Sequence, residues 1–244
     1  MDAVERRYRR LHTGEGLSFY RVSLEQSDLS IGTLRPLKPQ AAKALEEARS
    51  QVEARIREQK EFLTSFVPVR PLIGTGIVPA WMEAASLAAG TGPMAAVAGA
   101  IAQYVGRALL ADSQDVVVEN GGDLYLHLTQ PRIAAIYAGD SPLSDKIGIQ
   151  LPPGEWGLCT SSGRIGPSHS FGSAHAAVVL SHDAALADAA ATQLGNLVHG
   201  EEDLASAVRT VMDMPGVEGA LAIWEDKLAA LGRMKLVPLR IKEK

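Results

Sequence analysis

The stretch "DVVVENGGDLYLHL", residues 115–128, contains two β-rich runs on either side of Asn120, Gly121 and Gly122. An Asn-Gly pair readily supplies the positive φ values that a two-residue turn requires, so the stretch predicts a hairpin of two antiparallel strands. Asp123 comes directly after the glycines and has two interpretations. It completes the turn, or it presents a carboxylate to a ligand at the rim of the hairpin.

Similar patterns occur near both ends of the chain. The segment "LSFYRVSLEQSDLSIGT", residues 17–33, alternates in a way that is typical of strands and predicts a hairpin around Gly14 to Gly16. The segment "GALAIWEDKLAALG", residues 219–232, predicts a closing hairpin that turns at Glu225 to Lys227. Further strands are predicted at 132–139, 146–151, 157–163 and 174–181.

The segments between these strands have helical spacing. Residues 39–66, "PQAAKALEEARSQVEARIREQKEFLTSF", predict one helix of about seven turns with an apolar stripe that packs on a sheet. Further helices are predicted at 79–90, 93–111, 183–196 and 203–214. Residues 84–106 carry no charge, but "GTGP" interrupts them, which favours two buried helices over a membrane span. The order of elements predicts an α+β fold with a largely antiparallel sheet, in a single domain over residues 1–244.

The composition argues against several classes of function. A net charge of −4 and a pI near 5.9 give no basic surface for nucleic acid or for an anionic membrane. Cys159 is the only cysteine, so the chain has no internal disulfide and no zinc site with two or more cysteine ligands. The N-terminal sequence lacks the apolar core of a secretory signal, and these features together predict a cytoplasmic protein.

Asp188 and Thr192 stand at positions i and i+4 of the helix predicted at 183–196, and therefore on one face of it. A carboxylate and a hydroxyl are oxygen donors of the kind that Mg²⁺ prefers, and Mg²⁺ usually takes its other ligands from water and substrate phosphates. The alternative is that Asp188 is solvated on an exposed face and that the Thr192 hydroxyl bonds back to a carbonyl.

The segment "TSSGRIGPSHSFG", residues 160–172, combines five hydroxyls, three glycines and His169. Backbone N–H groups in such a loop can approach an anionic ligand closely, and His169 can donate to a phosphate or act as an acid or base. The alternative is a polar loop without a ligand. Cys159, which precedes this segment, is interpreted as a small buried strand residue rather than as a nucleophile.

Taken together, these stretches resemble an uncharacterised bacterial and archaeal family that is grouped with the ApbE-like proteins, whose best-known members are FAD:protein FMN transferases. Early in the chain, "LEQSDLSIGT" (24–33) is similar to an N-terminal motif of that family. The other matching segments are "TGPMAAVAGAIAQYVG" (91–106), "VVVENGGDLYL" (116–126), "GLCTSSGRIGPSHSFGSAHAAVVL" (157–180) and "ALADAAATQLGN" (185–196). The resemblance implies an α+β architecture of the T-fold type with internal duplication.

For chemistry, the resemblance implies Mg²⁺-assisted cleavage of the pyrophosphate of FAD, with AMP leaving and FMN-protein or free FMN as the product. It implies that Asp188 and Thr192 are the metal ligands and that His169 and Asp188 are the catalytic residues. The residues that match the flavin-binding segments of the transferases are Gly121, Gly122, Asp123, Thr160, Ser161, Ser162 and Gly163.

The chain also departs from the transferases in ways that weaken FMN transfer more than ligand binding. The Asp-Pro and Thr-Gly that follow their histidine are absent from "HSFGSAH", and their helix lysine is replaced by Gln103. The leading hypothesis is therefore a small-molecule site for a flavin or another phosphate-bearing ligand. The alternatives are a non-catalytic protein whose loops bind a ligand or shape a homodimer, and a hydrolase of a different phosphorylated substrate.

Overall fold

The computed structural model describes residues 16–162 and 172–239, and an antiparallel sheet lies at its centre. The eight strands of this sheet follow the order β1-β2-β3-β4-β7-β8-β9-β10, and every neighbouring pair is antiparallel. Their bounds are β1 Ser18–Leu24, β2 Ser27–Thr33, β3 Val116–Asn120, β4 Asp123–Leu128, β7 Gly154–Ser161, β8 Ala176–Ser181, β9 Val217–Trp224 and β10 Lys227–Gly232. A smaller sheet contains β5 Arg132–Ala135, β6 Ile147–Leu151 and β11 Leu236–Pro238.

The helices fall into two groups along the chain, each lying between two hairpins of the large sheet. The first group is α1 Lys38–Glu58, α2 Glu61–Thr64, α3 Ile77–Ala89 and α4 Val97–Leu109, with a 3-10 turn at Pro93–Ala96 before α4. The second group is α5 Ala184–Leu197 and α6 Leu204–Met212. Both halves of the chain therefore run from hairpin to helices to hairpin, which is the pattern of an internal duplication. The structure confirms the predicted α+β fold with a largely antiparallel sheet.

The large sheet is covered on both faces. Buried side chains of its helical face, such as Val118, Tyr125 and Val179, pack with the helices. Buried side chains of the opposite face, such as Leu126 and Val178, pack with the smaller sheet. Because successive residues of a strand point to opposite faces, strands covered on both sides are apolar throughout, as "VVV" in β3 and "AAVVL" in β8 are.

Two of the predicted elements were misplaced. The first hairpin turns at Glu25, whose φ is 50°, instead of around Gly14 to Gly16. The long helix ends at Glu58 instead of continuing to residue 66, because Gln59 is extended and the chain bends into α2. This bend lets Phe62 enter the core beneath Arg55, whose guanidinium lies 4.8 Å from the centre of the ring.

The uncharged residues 84–106 form the second half of α3 and most of α4, two separate helices as predicted, and most residues of both helices are buried. Within the described parts of the chain, no single helix has both the length and the hydropathy needed to cross a membrane. The pair 77–89 and 93–109 meets those two criteria when taken together, with a bend of 108° between its members.

Candidate functional site

The β3–β4 hairpin turns through Gly121 and Gly122, with φ values of 70° and 112°, so the two-residue turn consists of both glycines rather than of Asn120 and Gly121. Asn120 is still paired with Asp123 in the ladder, and its side-chain Nδ2 donates to the backbone oxygen of Ala98 at 3.1 Å. This bond ties the turn to the start of α4. A Cβ at Gly121 would have no atom within 4 Å, which leaves open space beside the turn.

Asp123 is the first residue of β4 and is only 8% exposed. Its Oδ1 accepts a hydrogen bond from the backbone N–H of Thr160 at 3.2 Å, which links the hairpin to the end of β7. Burial raises the pKa of Asp123 to about 7. The bonds from Thr160 and Cys159 lower it, and the charge of Glu119 raises it further. The Asp123 carboxylate is therefore buried where the central strands β4 and β7 meet, instead of projecting into solvent from the turn.

Asp188 lies on the second turn of α5 and is 9% exposed. Its Oδ2 accepts from the backbone N–H of Gly99 at 2.8 Å, so the carboxylate caps the N-terminus of α4. The pKa of Asp188 is raised well above its usual range, mainly by burial and then by the nearby charge of Asp123. The alternative of a solvated Asp188 on an exposed face is therefore wrong.

Asp123 and Asp188 form what we call the acid pair. Each carboxylate is buried, each has backbone N–H donors, and the charge of Asp123 disfavours the ionisation of Asp188. No lysine or arginine in residues 16–162 and 172–239 forms an ion pair with either of them. Buried carboxylates normally have a cationic partner or stay protonated, so the raised pKa values favour a protonated acid pair unless a cation binds beside it.

Thr192 is half-buried and lies one helical turn beyond Asp188 on α5. Its hydroxyl makes no hydrogen bond with any residue that the structure describes. In α6, by contrast, the hydroxyl of Thr210 donates to the backbone oxygen of Ser206 at 3.0 Å, four residues earlier. The predicted alternative for Thr192, a bond back to its own helix, is therefore wrong, and the hydroxyl is available to another partner.

The end of β7 supplies the remaining predicted residues that the structure describes. Thr160 is half-buried and Ser161 is 7% exposed, and Ser162 follows the strand. Cys159 is fully buried, as predicted, and its Sγ lies 3.4 Å from the backbone oxygen of Ala184. Burial is the main reason why the pKa of this thiol is raised well above its usual range, which disfavours a nucleophilic role. Gly163 and His169 lie outside the described residues.

Sequence reasoning missed the residues that hold the acid pair in place. Gly99 provides the N–H for Asp188, and a Cβ there would lie 2.1 Å from the backbone oxygen of Ala184, so only glycine allows this contact between α4 and α5. Gln103 was noted only as a departure from a pattern, yet its Oε1 accepts from the N–H of Ala184 at 2.6 Å. The sequence offered one signal of this contact, which is Gly99 itself, a glycine inside the apolar helical run "AVAGAIA".

The acid pair and Thr192 offer only oxygen donors, which suits a hard cation such as Mg²⁺. Among the residues that the structure describes, no group of three or more His, Cys, Asp or Glu side chains has the arrangement of a metal site. A metal here would therefore depend on hydroxyl, water or ligand oxygens to complete its coordination. Magnesium sites with one or two carboxylates and substrate phosphates have this character.

The fold is that of the ApbE flavin transferases. The crystal structure of Pseudomonas stutzeri flavinyl transferase ApbE in its apo form matches with a TM-score of 0.57 and 14% identity, over 88% of this chain and 94% of that one. The ApbE protein of Thermotoga maritima matches with a TM-score of 0.55 and 13% identity, over 87% and 96%. At such low identity, these likenesses establish the fold alone.

The sequence comparisons identify the family within that fold. The family model described as "AbpE bacteria" matches residues 9–215. A UPF0280 protein of Methanocella arvoryzae is 40% identical over 202 residues, which cover 82% of each chain. A UPF0280 protein of Methanopyrus kandleri is 39% identical over 228 residues, which cover 90% of this chain and 93% of the relative. The chain therefore belongs to this ApbE-like family, as its sequence motifs predicted.

Proposed function

We propose that this ApbE-like protein binds a flavin nucleotide, or a related phosphate-bearing small molecule, between the β3–β4 turn, the end of β7 and α5. The observation that carries the proposal is the acid pair: two buried carboxylates beside an unbonded threonine hydroxyl and without a cationic partner among the described residues. Such a cluster is unfavourable by itself and favourable with a divalent cation.

Asp188 and Thr192 are the proposed Mg²⁺ ligands. The Asp188 carboxylate accepts from the backbone N–H groups of Gly99 and Ala98, and its remaining lone pairs would supply a metal with oxygen, with the Thr192 hydroxyl one turn away as a second ligand. Mg²⁺ bound there would neutralise charge on the phosphates of the ligand. Since the chain offers few donors of its own, Mg²⁺ and the phosphate-bearing ligand should bind together more tightly than either binds alone.

The flavin nucleotide would occupy the open space beside Gly121 and contact Gly122 and the end of β7, where Thr160, Ser161 and Ser162 are proposed contacts, with Gly163 following them. The candidate reaction is cleavage of the FAD pyrophosphate. Water or a protein threonine hydroxyl attacks the phosphorus of the FMN half, the bond from that phosphorus to the bridging oxygen breaks, and AMP leaves. A carboxylate such as Asp123, whose pKa is about 7, is suited to accept the proton of the attacking hydroxyl.

The test is to incubate the protein with FAD and Mg²⁺ and to quantify AMP and FMN by chromatography, with Mg²⁺ and FAD affinities measured by calorimetry. Asp188→Asn should lower the turnover by about a hundredfold or more and weaken Mg²⁺ binding, because the charged ligand is lost. Asp183→Asn is the matched control, since Asp183 also caps a helix N-terminus but lies outside the acid pair. It should change neither quantity.

The outcomes separate the hypotheses. Equal amounts of AMP and FMN support FAD cleavage, and binding without AMP supports the non-catalytic ligand-binding alternative. If the wild-type protein binds neither Mg²⁺ nor FAD, the proposal is wrong. The catalytic role of His169, a homodimer and a cytoplasmic location stay predictions.

A further inference from the structure

Ala184, the first residue of α5, contacts buried groups of both α4 and β7. Its N–H donates to Oε1 of Gln103 on α4 at 2.6 Å, and Gln103 is only 1% exposed. Its backbone oxygen lies 3.4 Å from Sγ of Cys159 on β7. A Cβ on Gly157 would lie 2.4 Å from the Cα of Ala184, so the strand and the start of the helix are in direct backbone contact.

The contact between α4 and α5 is reciprocal. Gln103 of α4 accepts from the first N–H of α5, and Asp188 of α5 accepts from the N–H of Gly99 in the first turn of α4. The first N–H groups of any helix lack partners within that helix, so they depend on acceptors from elsewhere. In this protein, each of the two helices supplies an acceptor for the other.

From this arrangement we infer that Gln103 is a positioning residue for Asp188. By fixing the start of α5 against α4, the side-chain amide of Gln103 sets where the Asp188 carboxylate lies relative to Gly99 and to Asp123. The geometric part of the inference stands on the two hydrogen bonds, and only its consequence for metal binding rests on the proposed function. Gln103 itself need not touch the metal or the flavin.

The effect of Gln103 on Asp188 follows from the short distance along the helix between them. Ala184 and Asp188 are separated by one helical turn, so a shift of the helix start moves the carboxylate with it. Without an acceptor from Gln103, the N–H of Ala184 would be buried and unpaired, which favours a displaced helix end. The backbone of Ala184 is already in close contact with Gly99 and Gly157. We therefore expect a displaced helix start to shift Asp188 with it, since these contacts leave little room for a rearrangement of Ala184 alone.

Three variants test the inference by amide hydrogen exchange. Gln103→Met keeps the size of the side chain but has no acceptor, and it should speed exchange at Gly99 about tenfold or more, because the buried hydrogen bond from Gly99 to the Asp188 carboxyl is lost. Gln103→Glu keeps an acceptor oxygen and should restore slow exchange at Gly99. Asp183→Ala removes the local cap of α5 and should speed exchange at Ala185 and Leu186 only.

Faster exchange at Gly99 in Gln103→Met, with recovery in Gln103→Glu, supports the positioning role. Faster exchange confined to residues 184–186 overturns it, since Gln103 would then stabilise only the start of α5. If Gln103→Met does not fold, Gln103→Asn, whose amide is too short to reach Ala184, is interpreted by the same criterion.

Mg²⁺ binding gives a second and separate result. A wild-type protein that binds Mg²⁺ and a Gln103→Met variant that binds it about tenfold more weakly would support both the inference and the proposed function. A wild-type protein that does not bind Mg²⁺ would contradict the proposed function alone, because the exchange at Gly99 still decides whether Gln103 positions Asp188.

Discussion

Two of the places where the protein buries carboxylates differ in how the charge is balanced. In the helical layer, Glu83 is 5% exposed and accepts a hydrogen bond from Nε of Arg55 at 2.7 Å, and Arg55 is itself fully buried. At the end of the large sheet, Asp123 and Asp188 are buried to a similar degree, but they have backbone donors and each other instead of a cation. In the first arrangement the charge of the carboxylate is balanced by a cation of the chain itself, whereas in the second a positive charge would have to come from outside the described residues.

The largest expected effect on the free energy of unfolding comes from breaking the ion pair between Arg55 and Glu83. Arg55→Met leaves the carboxylate of Glu83 buried without its partner and should lower the free energy of unfolding by about 3–5 kcal/mol. Urea denaturation near neutral pH measures this loss. Mg²⁺ should not restore the stability, because Glu83 is a single buried carboxylate and not one of the proposed Mg²⁺ ligands.

The control for this prediction is the double variant Arg55→Met with Glu83→Leu, which removes both charges. Buried ion pairs can often be replaced by apolar residues at little loss, so the double variant should recover most of the stability. A double variant that is as unstable as Arg55→Met would show that packing around Arg55, including its contact with Phe62, matters more than the unpaired charge.

The opposite result is expected at the acid pair, where removing a charge should stabilise the protein. The pKa of Asp123 rises from 3.8 to about 7 on folding, so this group favours the folded state at low pH, and that contribution is lost as the pH rises through about 7. Asp123→Asn carries no charge at any pH and therefore avoids the cost of burying an ionised carboxylate. At about pH 8 without divalent cations, it should exceed the wild type by on the order of 2 kcal/mol in unfolding free energy.

Thermal or urea unfolding across the pH range checks this prediction. The difference between Asp123→Asn and the wild type should shrink below about pH 4, where the wild-type carboxyl is protonated in both states. It should also shrink when Mg²⁺ is added at high pH, because Mg²⁺ should stabilise the wild type, which has both charges of the acid pair, more than the variant, which keeps Asp188 and Thr192 but has lost the charge of Asp123. A variant that is less stable than the wild type at every pH would mean that the carboxylate has a purely structural role.

Sequence patterns predicted most of the fold, because they depend on local signals. The hairpin at Gly121 and Gly122, the closing hairpin at Glu225 to Lys227 and the buried pair α3 and α4 all follow from alternation, turn residues or helical spacing. The first hairpin was misplaced because Glu25, a residue with no turn preference, adopts a positive φ while glycines lie nearby.

The chemistry of the site was harder to predict, because it depends on contacts between distant segments. The helix spacing placed Asp188 and Thr192 on one face, and the hairpin sequence singled out Asp123, but neither signal reveals that Gly99 donates to Asp188 from 89 residues away in the chain. Likewise, a glutamine in an alanine-rich helix gives no indication that it accepts from the start of another helix. Burial of both carboxylates is a property of the packed helices and sheet.

The smallest expected effect on stability comes from the threonines of two helices, Thr192 in α5 and Thr210 in α6, which differ in whether the hydroxyl has a hydrogen-bond partner among the described residues. Thr192→Val and Thr210→Val both remove a hydroxyl from a helix at nearly constant volume. Thr210 loses a bond to Ser206, whereas Thr192 loses no bond with any described residue, so neither variant should lose more than about 0.5 kcal/mol in unfolding free energy. Calorimetric titration should nevertheless separate them, with Mg²⁺ binding in the presence of FAD weakened about tenfold in Thr192→Val and unchanged in Thr210→Val. Equal Mg²⁺ affinities in the two variants would show that the hydroxyl of Thr192 matters no more to the metal than that of Thr210. Thr192 would then be removed from the proposed site, and the acid pair would be left as its only metal-binding group.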